Sequence, residues 1–357
     1  MLLIAAPAGA ATQREVQAAA FAVPVPTAPL RDLVIEHPSR AQARAAASAT
    51  ASAQRYPVND GAGRTVSINV SPPCTTLCDN ADPQTIANFL GTLPHGDEMN
   101  LLEVDLVTRP PGGSAEMTAA CGSSLALSCY FPDENRMVAS GDSFTASDNA
   151  TKLYVIAHEY GHHVANHRNN APFDNPAINW GPKNWASFAG VCQGVRAGRY
   201  FPGDEGGHYY DNPGEAFAES FAHNAFPTQP VPWEWPDFPD PHNGGFVPLQ
   251  RDALQPWSGD SVEKRRGRFP KKRRPKKTVK RFGTPLDGDL KLSLSGPDRA
   301  DLALKLLDSS GHVLARSDGV GSKESVSYQI CGQRGVSAVV RRHGRRLTRF
   351  TLTALIP

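Results

Sequence analysis

The sequence predicts an α+β domain followed by a small all-β domain, and three patterns lead to this expectation. Apolar residues recur at helical spacing from Thr151 to about Asn166, and a second helix signal begins at Asn212. Short alternating stretches between residues 100 and 139 indicate strands that precede both helices. From Thr284 onward the apolar residues repeat at every second position, which is the period of a strand.

The predicted strands of the first domain lie upstream of its helices. Asn100–Val107 alternates apolar and polar residues, and Leu125–Tyr130 and Arg136–Ala139 form two further short stretches, separated by a turn. We expect these strands to form a mixed sheet that packs against the helix beginning at Thr151. One edge of such a sheet could pair with an extended peptide.

The helix at Thr151 carries the run His158-Glu159-Tyr160-Gly161-His162. Residues four apart share one face of a helix, so His158 and His162 can offer two imidazole nitrogens to one zinc ion. Glu159 would then lie beside the metal, where it can take a proton from water. Ser147 and Asp148 offer side-chain oxygens that can cap the start of this helix.

Gly161 lowers the helix propensity by about 1 kcal/mol relative to alanine. A residue without a side chain is easiest to explain where another segment passes close to the metal. The alternative is a helix whose histidines are only polar neighbours of the core. That alternative explains neither the glycine nor the position of Glu159.

A catalytic zinc site of this type needs a third protein ligand. The extended pattern H-E-x-x-H-x-x-G-x-x-H is excluded because the chain has Ala165 and Arg168 where it requires glycine and histidine, and His167 is one residue out of place. We therefore expect the ligand further along, in a helix with Asn212 as its N-cap and Pro213 at its first position.

Two glutamates share one face of this second helix. Glu215 and Glu219 are four residues apart, a spacing at which like charges destabilise a helix unless a cation lies near them. Zinc bound by Glu215, with Glu219 hydrogen-bonded to the outer nitrogen of a ligand histidine, would remove that cost. Asn212 and Glu215 also fit a capping box, in which the glutamate only caps the helix backbone.

The two motifs together resemble the gluzincin metallopeptidases, in which H-E-x-x-H is followed by a helix with E-x-x-x-D or E-x-x-x-E. The resemblance implies a minimal zincin domain in which a mixed sheet packs on both helices, with zinc as cofactor. It implies His158, His162 and Glu215 as the three metal ligands. Glu159 would be the general base and acid, and Glu219 the outer carboxylate.

The long separation between His162 and Glu215 departs from the compact thermolysin type and is closer to small gluzincins such as the lethal-factor group. No Gly-x-Met-Glu-Asn aminopeptidase signature is present, so an endopeptidase acting on a protein or peptide substrate is expected. In that reaction Glu159 accepts a proton from water that zinc acidifies toward a pKa of about 7, and later passes it to the leaving amine.

Aromatic residues and a histidine stand immediately before the second helix. His208, Tyr209 or Tyr210 could donate a hydrogen bond to the oxyanion of a tetrahedral intermediate. A hydrophobic staple at the start of the helix is an equally good reading of these side chains. The stretch from Ala171 to Asp211, rich in Gly, Pro and Asn, predicts a long loop on the substrate side.

The N-terminal third of the chain divides by composition. Residues 1–24 read as a signal peptide or its remnant, since an apolar run ends in small residues but lacks a basic start; an Ala-rich terminus without that role is the alternative. Residues 25–62 are rich in Ala, Pro, Ser and Gln, which predicts a disordered linker or pro-segment. The metallopeptidase domain is then expected over 63–250. No run reaches the roughly 18 apolar residues that a membrane span needs.

Six cysteines, an even number, suit an oxidising compartment and therefore a secreted protein. Cys74 with Cys78 and Cys121 with Cys129 could each close a small loop, although six cysteines allow fifteen pairings. A zinc site made by Cys74 and Cys78 is disfavoured, because no second cysteine or histidine pair stands at finger spacing.

A strongly basic run lies between Lys264 and Arg281, with twelve Lys and Arg and no acid. The other 25 of the 37 Lys and Arg residues face 35 Asp and Glu, so the rest of the chain is net −10. Such a run predicts an extended, solvated linker over 251–283. It could also bind an anionic surface such as a cell-wall polymer or anionic lipid. Specific nucleic-acid recognition is not expected, because only Phe269 and Phe282 interrupt the charges.

Residues 284–357 predict a small all-β sandwich. The alternating positions are Leu290, Leu292, Leu294, Leu302, Leu304, Leu306, Val326, Tyr328, Ile330, Phe350, Leu352 and Ala354. The run from Ala300 to Ser317 resembles the bacterial pre-peptidase C-terminal domain. That resemblance implies an accessory domain of secreted peptidases that is often removed on maturation, and an extracellular, periplasmic or cell-surface location.

The leading hypothesis is a monomeric, secreted zinc endopeptidase with a dispensable β-sandwich tail. The alternative is a non-catalytic secreted adhesion or binding protein, in which a decayed metallopeptidase domain and the basic run hold the molecule to an anionic surface. Retention of the complete set of His158, Glu159, His162 and Glu215 argues against decay.

Overall fold

The structure is a computed structural model of the chain. It describes residues 54–70, 83–107, 115–122, 126–140, 152–227, 232–271, 276–344 and 346–357. The predicted signal peptide at 1–24 lies outside the described residues. So do most of the predicted pro-segment, Cys74, Cys78, Ser147 and Asp148.

A five-stranded mixed sheet underlies the first domain. Its strands are β1 (Gln54–Pro57), β2 (Thr65–Val70), β3 (Glu103–Val107), β4 (Ser128–Phe131) and β5 (Arg136–Ser140), arranged in the order β1-β2-β3-β5-β4. The inner pairs β2/β3 and β3/β5 are parallel, whereas β1 and β4 pair antiparallel with their neighbours. β3, β4 and β5 correspond to the three predicted strands, with boundaries that differ by a few residues.

β1 lies inside the stretch 25–62, which the sequence predicted to be a disordered linker. Its four residues pair in register with β2, and Val58 just beyond it is 5% exposed. The pairing uses backbone groups, which every residue except proline carries in full, so the composition of the stretch gave no sign of it. The first domain therefore includes residues from 54 onward rather than from 63.

The first domain also contains helices on both sides of the predicted metal motif. They are α1 (Pro83–Leu90), α2 (Ala115–Cys121), α3 (Lys152–Asn166), α4 (Lys183–Ala189), α5 (Val191–Arg196), α6 (Pro213–Ala225) and α7 (Phe246–Leu254). α3 and α6 are the two helices expected from the sequence. One hydrophobic core joins the sheet to both of them through Ile68, Val104, Leu106, Ile156, Tyr160, Phe217 and Phe221.

α4 and α5 fall in the stretch 171–211, where the sequence predicted a loop. The backbone amides of Asn184 and Trp185, in the first turn of α4, donate to the buried carboxylate of Asp252 at 3.0 and 2.7 Å. This cap comes from α7, far along the chain, and so satisfies helix-end amides that no local residue satisfies. A local sequence pattern cannot reveal such a cap.

A buried ion pair holds the part of α3 that carries Tyr160 and His163. Glu98 lies in a 3₁₀ turn at Asp97–Leu101, and its carboxylate contacts Arg168 at 3.0 Å and the Tyr160 hydroxyl at 3.2 Å. The ring of His163 donates to the Glu98 carbonyl at 2.9 Å. Burial raises the pKa of Glu98, but the charge of Arg168 and a hydrogen bond from the Gly96 amide bring it below its ordinary value. Arg168 stands where the extended zinc motif would need a histidine, and in the structure it forms this buried ion pair with Glu98.

The second domain consists of two four-stranded antiparallel sheets. Its strands are β6 (Ser261–Phe269), β7 (Lys277–Gly283), β8 (Gly288–Ser295), β9 (Asp301–Leu307), β10 (Val313–Ser317), β11 (Lys323–Ile330), β12 (Gly335–His343) and β13 (Thr348–Ile356). One sheet has the order β10-β9-β12-β7 and the other the order β11-β8-β13-β6. The inward-facing residues of both sheets form a single core, so the predicted sandwich is observed, with the alternating leucines inside it.

The basic run is not the extended linker that the sequence predicted over 251–283. Residues 251–254 belong to α7, and β6 and β7 are edge strands, one in each sheet of the sandwich. An edge strand can keep most of its side chains in solvent, and only Phe269 and Phe282 of these two strands are buried among the core residues. Charged edges are a common device that prevents further strand pairing.

A disulfide and several hydrogen bonds join the two domains. Cys192 of α5 is bonded to Cys331 of the sandwich, while Cys121 and Cys129 form the short-range pair that the sequence suggested. From the sandwich, Arg334 donates to the Ser187 carbonyl at 2.6 Å and the Asp287 amide donates to Ser187 Oγ at 2.9 Å. The sandwich is therefore linked covalently to α5 of the first domain by this disulfide, in addition to the polypeptide connection.

Among the described residues, no helix combines the length and apolar character needed to cross a bilayer.

Replacing Glu98 by Gln should destabilise the fold, because Arg168 would remain buried without its counter-charge. We expect a loss of about 3 kcal/mol or more in the free energy of unfolding, measured in urea. Glu103→Gln, on the exposed side of β3, is the matched control and should change it by less than about 0.5 kcal/mol. Equal stability of the two variants would contradict the anchoring role of Glu98.

Cutting the chain between the domains should not separate them under oxidising conditions. A protease site introduced at Ser258–Gly259, which is exposed, should give one band on a denaturing gel without reductant and two bands with it. The variant carrying Cys192→Ser and Cys331→Ser should give two bands in both cases. Two bands from the cut parent protein without reductant would show that the disulfide is not formed.

Candidate metal centre

α3 and α6 bring three potential metal ligands together in the interior. His158 Nε2 and His162 Nε2 lie 3.2 Å apart. The Glu215 carboxylate oxygens lie 3.2 Å from His158 Nε2 and 3.3 Å from His162 Nε2. All three residues are fully buried, and they form the one His, Cys, Asp and Glu cluster of metal-binding geometry within the described residues.

These separations fit a zinc ion. In tetrahedral coordination with bonds of about 2.0 Å, the ligand atoms stand roughly 3.3 Å from one another, which is close to the separations of 3.2 to 3.3 Å found between the donor atoms. Two neutral imidazoles and one carboxylate also match the donor set of catalytic zinc sites, which keep a fourth position open. The residues present therefore fit the metal that the sequence predicted.

Gly161 permits the close approach of the two helices. A Cβ atom at this position would lie 2.8 Å from Ala218 Cα and 2.9 Å from Phe221 Cβ of α6. Real Cβ atoms do not come this close to backbone without displacement of one partner. The glycine is thus required by helix packing immediately next to the donor residues, as the sequence argument anticipated.

Asn212 caps α6 without help from Glu215. The Asn212 side chain accepts from the Gly214 amide at 3.0 Å, and the Asn212 amide donates to the Tyr209 carbonyl at 3.1 Å. The second arm of a capping box would need that amide to donate to Glu215. The capping-box alternative is therefore not what the structure shows, and the Glu215 carboxylate lies against the histidines.

Glu219 contacts the outer nitrogen of His158. Its Oε2 accepts from His158 Nδ1 at 3.0 Å, and its Oε1 accepts from the Tyr154 hydroxyl at 2.5 Å. His223 Nε2 stands 3.6 Å from Oε1. A proton held on Nδ1 leaves the lone pair of a neutral imidazole on Nε2, the nitrogen that faces Glu215 and His162. This arrangement orients His158 for a metal on that side.

Two carboxylates dominate the electrostatics of His158. Burial lowers the pKa of His158, but hydrogen bonds and charge from Glu215 and Glu219 more than offset it and raise the value to about 10. Burial raises the pKa of Glu219, whereas His158 and His223 lower it to about 2. The cluster thus holds buried negative charge that favours a cation, whether a proton or a metal ion.

Glu159 is buried on the same helix and faces β4. Its Oε1 accepts a hydrogen bond from Ser128 Oγ at 2.5 Å. Neither residue has any exposed surface. Among the described strands β4 pairs only with β5, so it is an edge strand of the sheet. Through Ser128, this edge strand orients the carboxylate of Glu159, the predicted general base.

Tyr209, His208 and Tyr210 occupy different surroundings. The Tyr209 hydroxyl is hydrogen-bonded to Glu215, and burial together with the charge of Glu215 holds the pKa of this hydroxyl well above its usual range. His208 is exposed, stacks on Phe201 with ring centroids 3.7 Å apart and pairs with Asp211 at 3.3 Å. Tyr210 is 38% exposed and packs edge-on against Trp235.

Sequence reasoning missed three side chains that contact the predicted site residues: Ser128, Tyr154 and His223. Tyr154 precedes His158 by four positions and His223 follows Glu219 by four, so extending each helix face by one turn would have found both. Ser128 comes from a strand, and nothing local connects it to Glu159.

No protein-family model matches this chain, and no curated protein matches it. Among solved structures, the chain is similar to the pre-peptidase C-terminal domain of a collagenase from Bacillus anthracis, with 11% identity and a TM-score of 0.23 over 27% of this chain and 88% of that one. At this identity and TM-score, the likeness does not assign the chain to a family.

Two further solved structures give similar values. The Yersinia pseudotuberculosis-derived mitogen has 14% identity and a TM-score of 0.22, over 28% of this chain and 87% of that one. The SPBc2 prophage-derived protein YomS has 13% identity and a TM-score of 0.17, over 26% of this chain and 95% of that one.

Replacing Gly161 by Ala should force α3 and α6 apart and spread the donor atoms. We expect the free energy of unfolding to fall by about 1 to 3 kcal/mol and zinc affinity, measured by competition with a fluorescent chelator, to fall at least tenfold. Gly207→Ala, where a Cβ meets nothing within 4 Å, is the control and should change neither quantity. Unchanged zinc affinity in the Gly161 variant would contradict the close-approach argument.

Proposed function

We propose that this chain is a secreted, zinc-dependent endopeptidase of the gluzincin type. The observation that carries the proposal is the buried cluster of His158, His162 and Glu215, whose donor atoms stand 3.2 to 3.3 Å apart. The position of Glu219 on the outer nitrogen of His158 supports the same assignment. The two disulfides of the described residues are typical of an oxidising compartment and so support secretion.

His158, His162 and Glu215 are the proposed ligands, and zinc bound by them would supply a Lewis acid that acidifies water and polarises a carbonyl group. Glu159 is the proposed base that takes a proton from water and delivers it to the leaving amine. Ser128 fixes the carboxylate of Glu159, and Glu219 with Tyr154 fixes the tautomer of His158. Tyr209 is the proposed hydrogen-bond donor to the developing oxyanion.

The proposed substrate is an extended peptide that pairs with the sheet at β4. Ser128 of β4 hydrogen-bonds to Glu159, so this end of the sheet lies beside the proposed base. Main-chain pairing recognises any extended peptide, because it uses groups that all residues carry. Such recognition suits an endopeptidase, whose substrate continues on both sides of the scissile bond.

Zinc content and hydrolysis of a denatured protein test the proposal. The purified protein should bind one zinc ion and cleave denatured casein, and a chelator should abolish cleavage until zinc is restored. Glu159→Gln should keep zinc and lose about 10²- to 10⁴-fold in the rate constant, as expected for removal of a general base. Glu103→Gln should keep full activity.

Two outcomes would count against the proposal. Full activity of the Glu159 variant would remove the proposed base. Stoichiometric zinc without hydrolysis of any protein substrate would favour the alternative, a non-catalytic secreted binding protein.

A further inference from the structure

The outer face of one sandwich sheet is cationic and rich in hydroxyl groups. In the sheet β11-β8-β13-β6, Arg266 is paired across the strands with Thr351, which is paired with Ser295. Arg268 is paired with Arg349. Their neighbours Gly267, Phe350 and Leu294 fall on the other side of the pleat, so these five polar side chains share the solvent face.

A cavity of about 590 Å³ opens on this face. Three arginines line it, together with Ser295 and Thr351, and no carboxylate does. Phe350, which also borders it, is 3% exposed and lies beneath Gly267, where a side chain would collide with its ring. The cavity is therefore lined by cationic and hydroxyl side chains, and the Phe350 ring beneath it is covered.

The three arginines of this face carry like charges on the neighbouring strands β6 and β13. Within the part of the chain that the structure describes, Arg266, Arg268 and Arg349 form no ion pair. Arg268 and Arg349 are direct cross-strand partners, and like charges in that position destabilise a sheet. An anion held between the two guanidinium groups would remove the repulsion and accept several hydrogen bonds at once.

We propose that this face of the β11-β8-β13-β6 sheet binds a linear anionic polysaccharide that carries sulfate or carboxylate groups. Arginine offers paired donors that match the geometry of both anions. The hydroxyls of Ser295 and Thr351, between and beside the arginines, can exchange hydrogen bonds with sugar hydroxyls. This inference does not depend on the proposed peptidase activity.

Two other classes of polyanion fit the face less well. Single-stranded nucleic acid needs accessible aromatic rings on which bases stack, and the ring of Phe350 is covered. Binding to a membrane surface would be favoured by large apolar side chains that stand near the cations and insert into the lipid. No side chain that lines the cavity is at once large, apolar and exposed.

The charge distribution of the whole chain would orient the molecule on such a polymer. Outside the run from Lys264 to Arg281, 25 Lys and Arg stand against 35 Asp and Glu. An anionic polymer is therefore attracted to the sandwich and repelled by much of the remaining surface. The disulfide between Cys192 and Cys331 would keep the first domain attached to the bound sandwich.

Binding of the full-length protein to defined polymers tests the proposal. The probes are heparin for sulfate, polygalacturonate for carboxylate and dextran as the neutral control, measured by biolayer interferometry at several salt concentrations. We expect binding to one or both anionic polymers and none to dextran. Because the binding releases counterions, affinity should fall steeply with salt.

The triple variant Arg266→Gln, Arg268→Gln and Arg349→Gln should raise Kd for the bound polymer at least tenfold. The matched control removes three exposed charges from the other sheet, with Lys277→Gln, Arg281→Gln and Arg341→Gln, and should change Kd less than twofold. Thermal unfolding midpoints report whether the variants fold. If the triple variant is unstable, Arg349→Gln alone should still raise Kd about threefold, as the loss of one charge contact predicts.

Equal losses of affinity in the two triple variants would overturn the proposal, because binding would then follow total charge. Absence of binding to both anionic polymers would overturn it as well. Tighter binding to a single-stranded oligonucleotide or to phosphatidylserine vesicles would assign the face to a different class of partner and contradict the proposal.

Discussion

The site depends on the contact between α3 and α6 at Gly161. Because no side chain separates the helices there, the histidines of one helix and the carboxylates of the other share a small buried volume. A buried carboxylate next to two imidazoles is costly unless each charge is matched. The structure matches them through a chain of contacts from Glu215 to His158 to Glu219 to Tyr154. This chain of contacts explains why polar residues stand four positions apart along the facing sides of both helices, at Tyr154 and His158 in α3 and at Glu215 and Glu219 in α6.

The rest of the first domain holds that helix pair in place. The ion pair of Glu98 with Arg168 fixes one part of α3, Ser128 at the sheet edge fixes Glu159, and Asp252 ties α4 to α7. None of these three contacts joins neighbours in sequence. They explain how a domain with long connections between its motif helices can keep donor atoms at separations suited to one ion.

Local patterns in the sequence were enough to predict α3, α6, the strands β3, β4 and β5 of the sheet and four strands of the sandwich. The helical face predicted that Glu215 and Glu219 lie together, and the gluzincin resemblance implied that Glu219 contacts the outer nitrogen of a ligand histidine. In the structure this histidine is His158. Local patterns could not predict features that depend on residues far apart in the sequence. These features are the cap on α4, the hydrogen bond from Ser128 to Glu159, and β1. The basic edge strands β6 and β7 were wrongly predicted to be a linker for a related reason. A charged strand at a sheet edge can form with little more than backbone pairing and one core residue such as Phe269.

The most direct test of the central claim is X-ray absorption at the zinc edge of the zinc-loaded protein. Ligation by His158, His162 and Glu215 predicts two imidazoles and oxygen ligands at about 2.0 to 2.1 Å with no sulfur. The variant His162→Ala should lose one imidazole from the spectrum. Sulfur ligands, or a spectrum that His162→Ala leaves unchanged, would show that zinc binds elsewhere and would contradict the account.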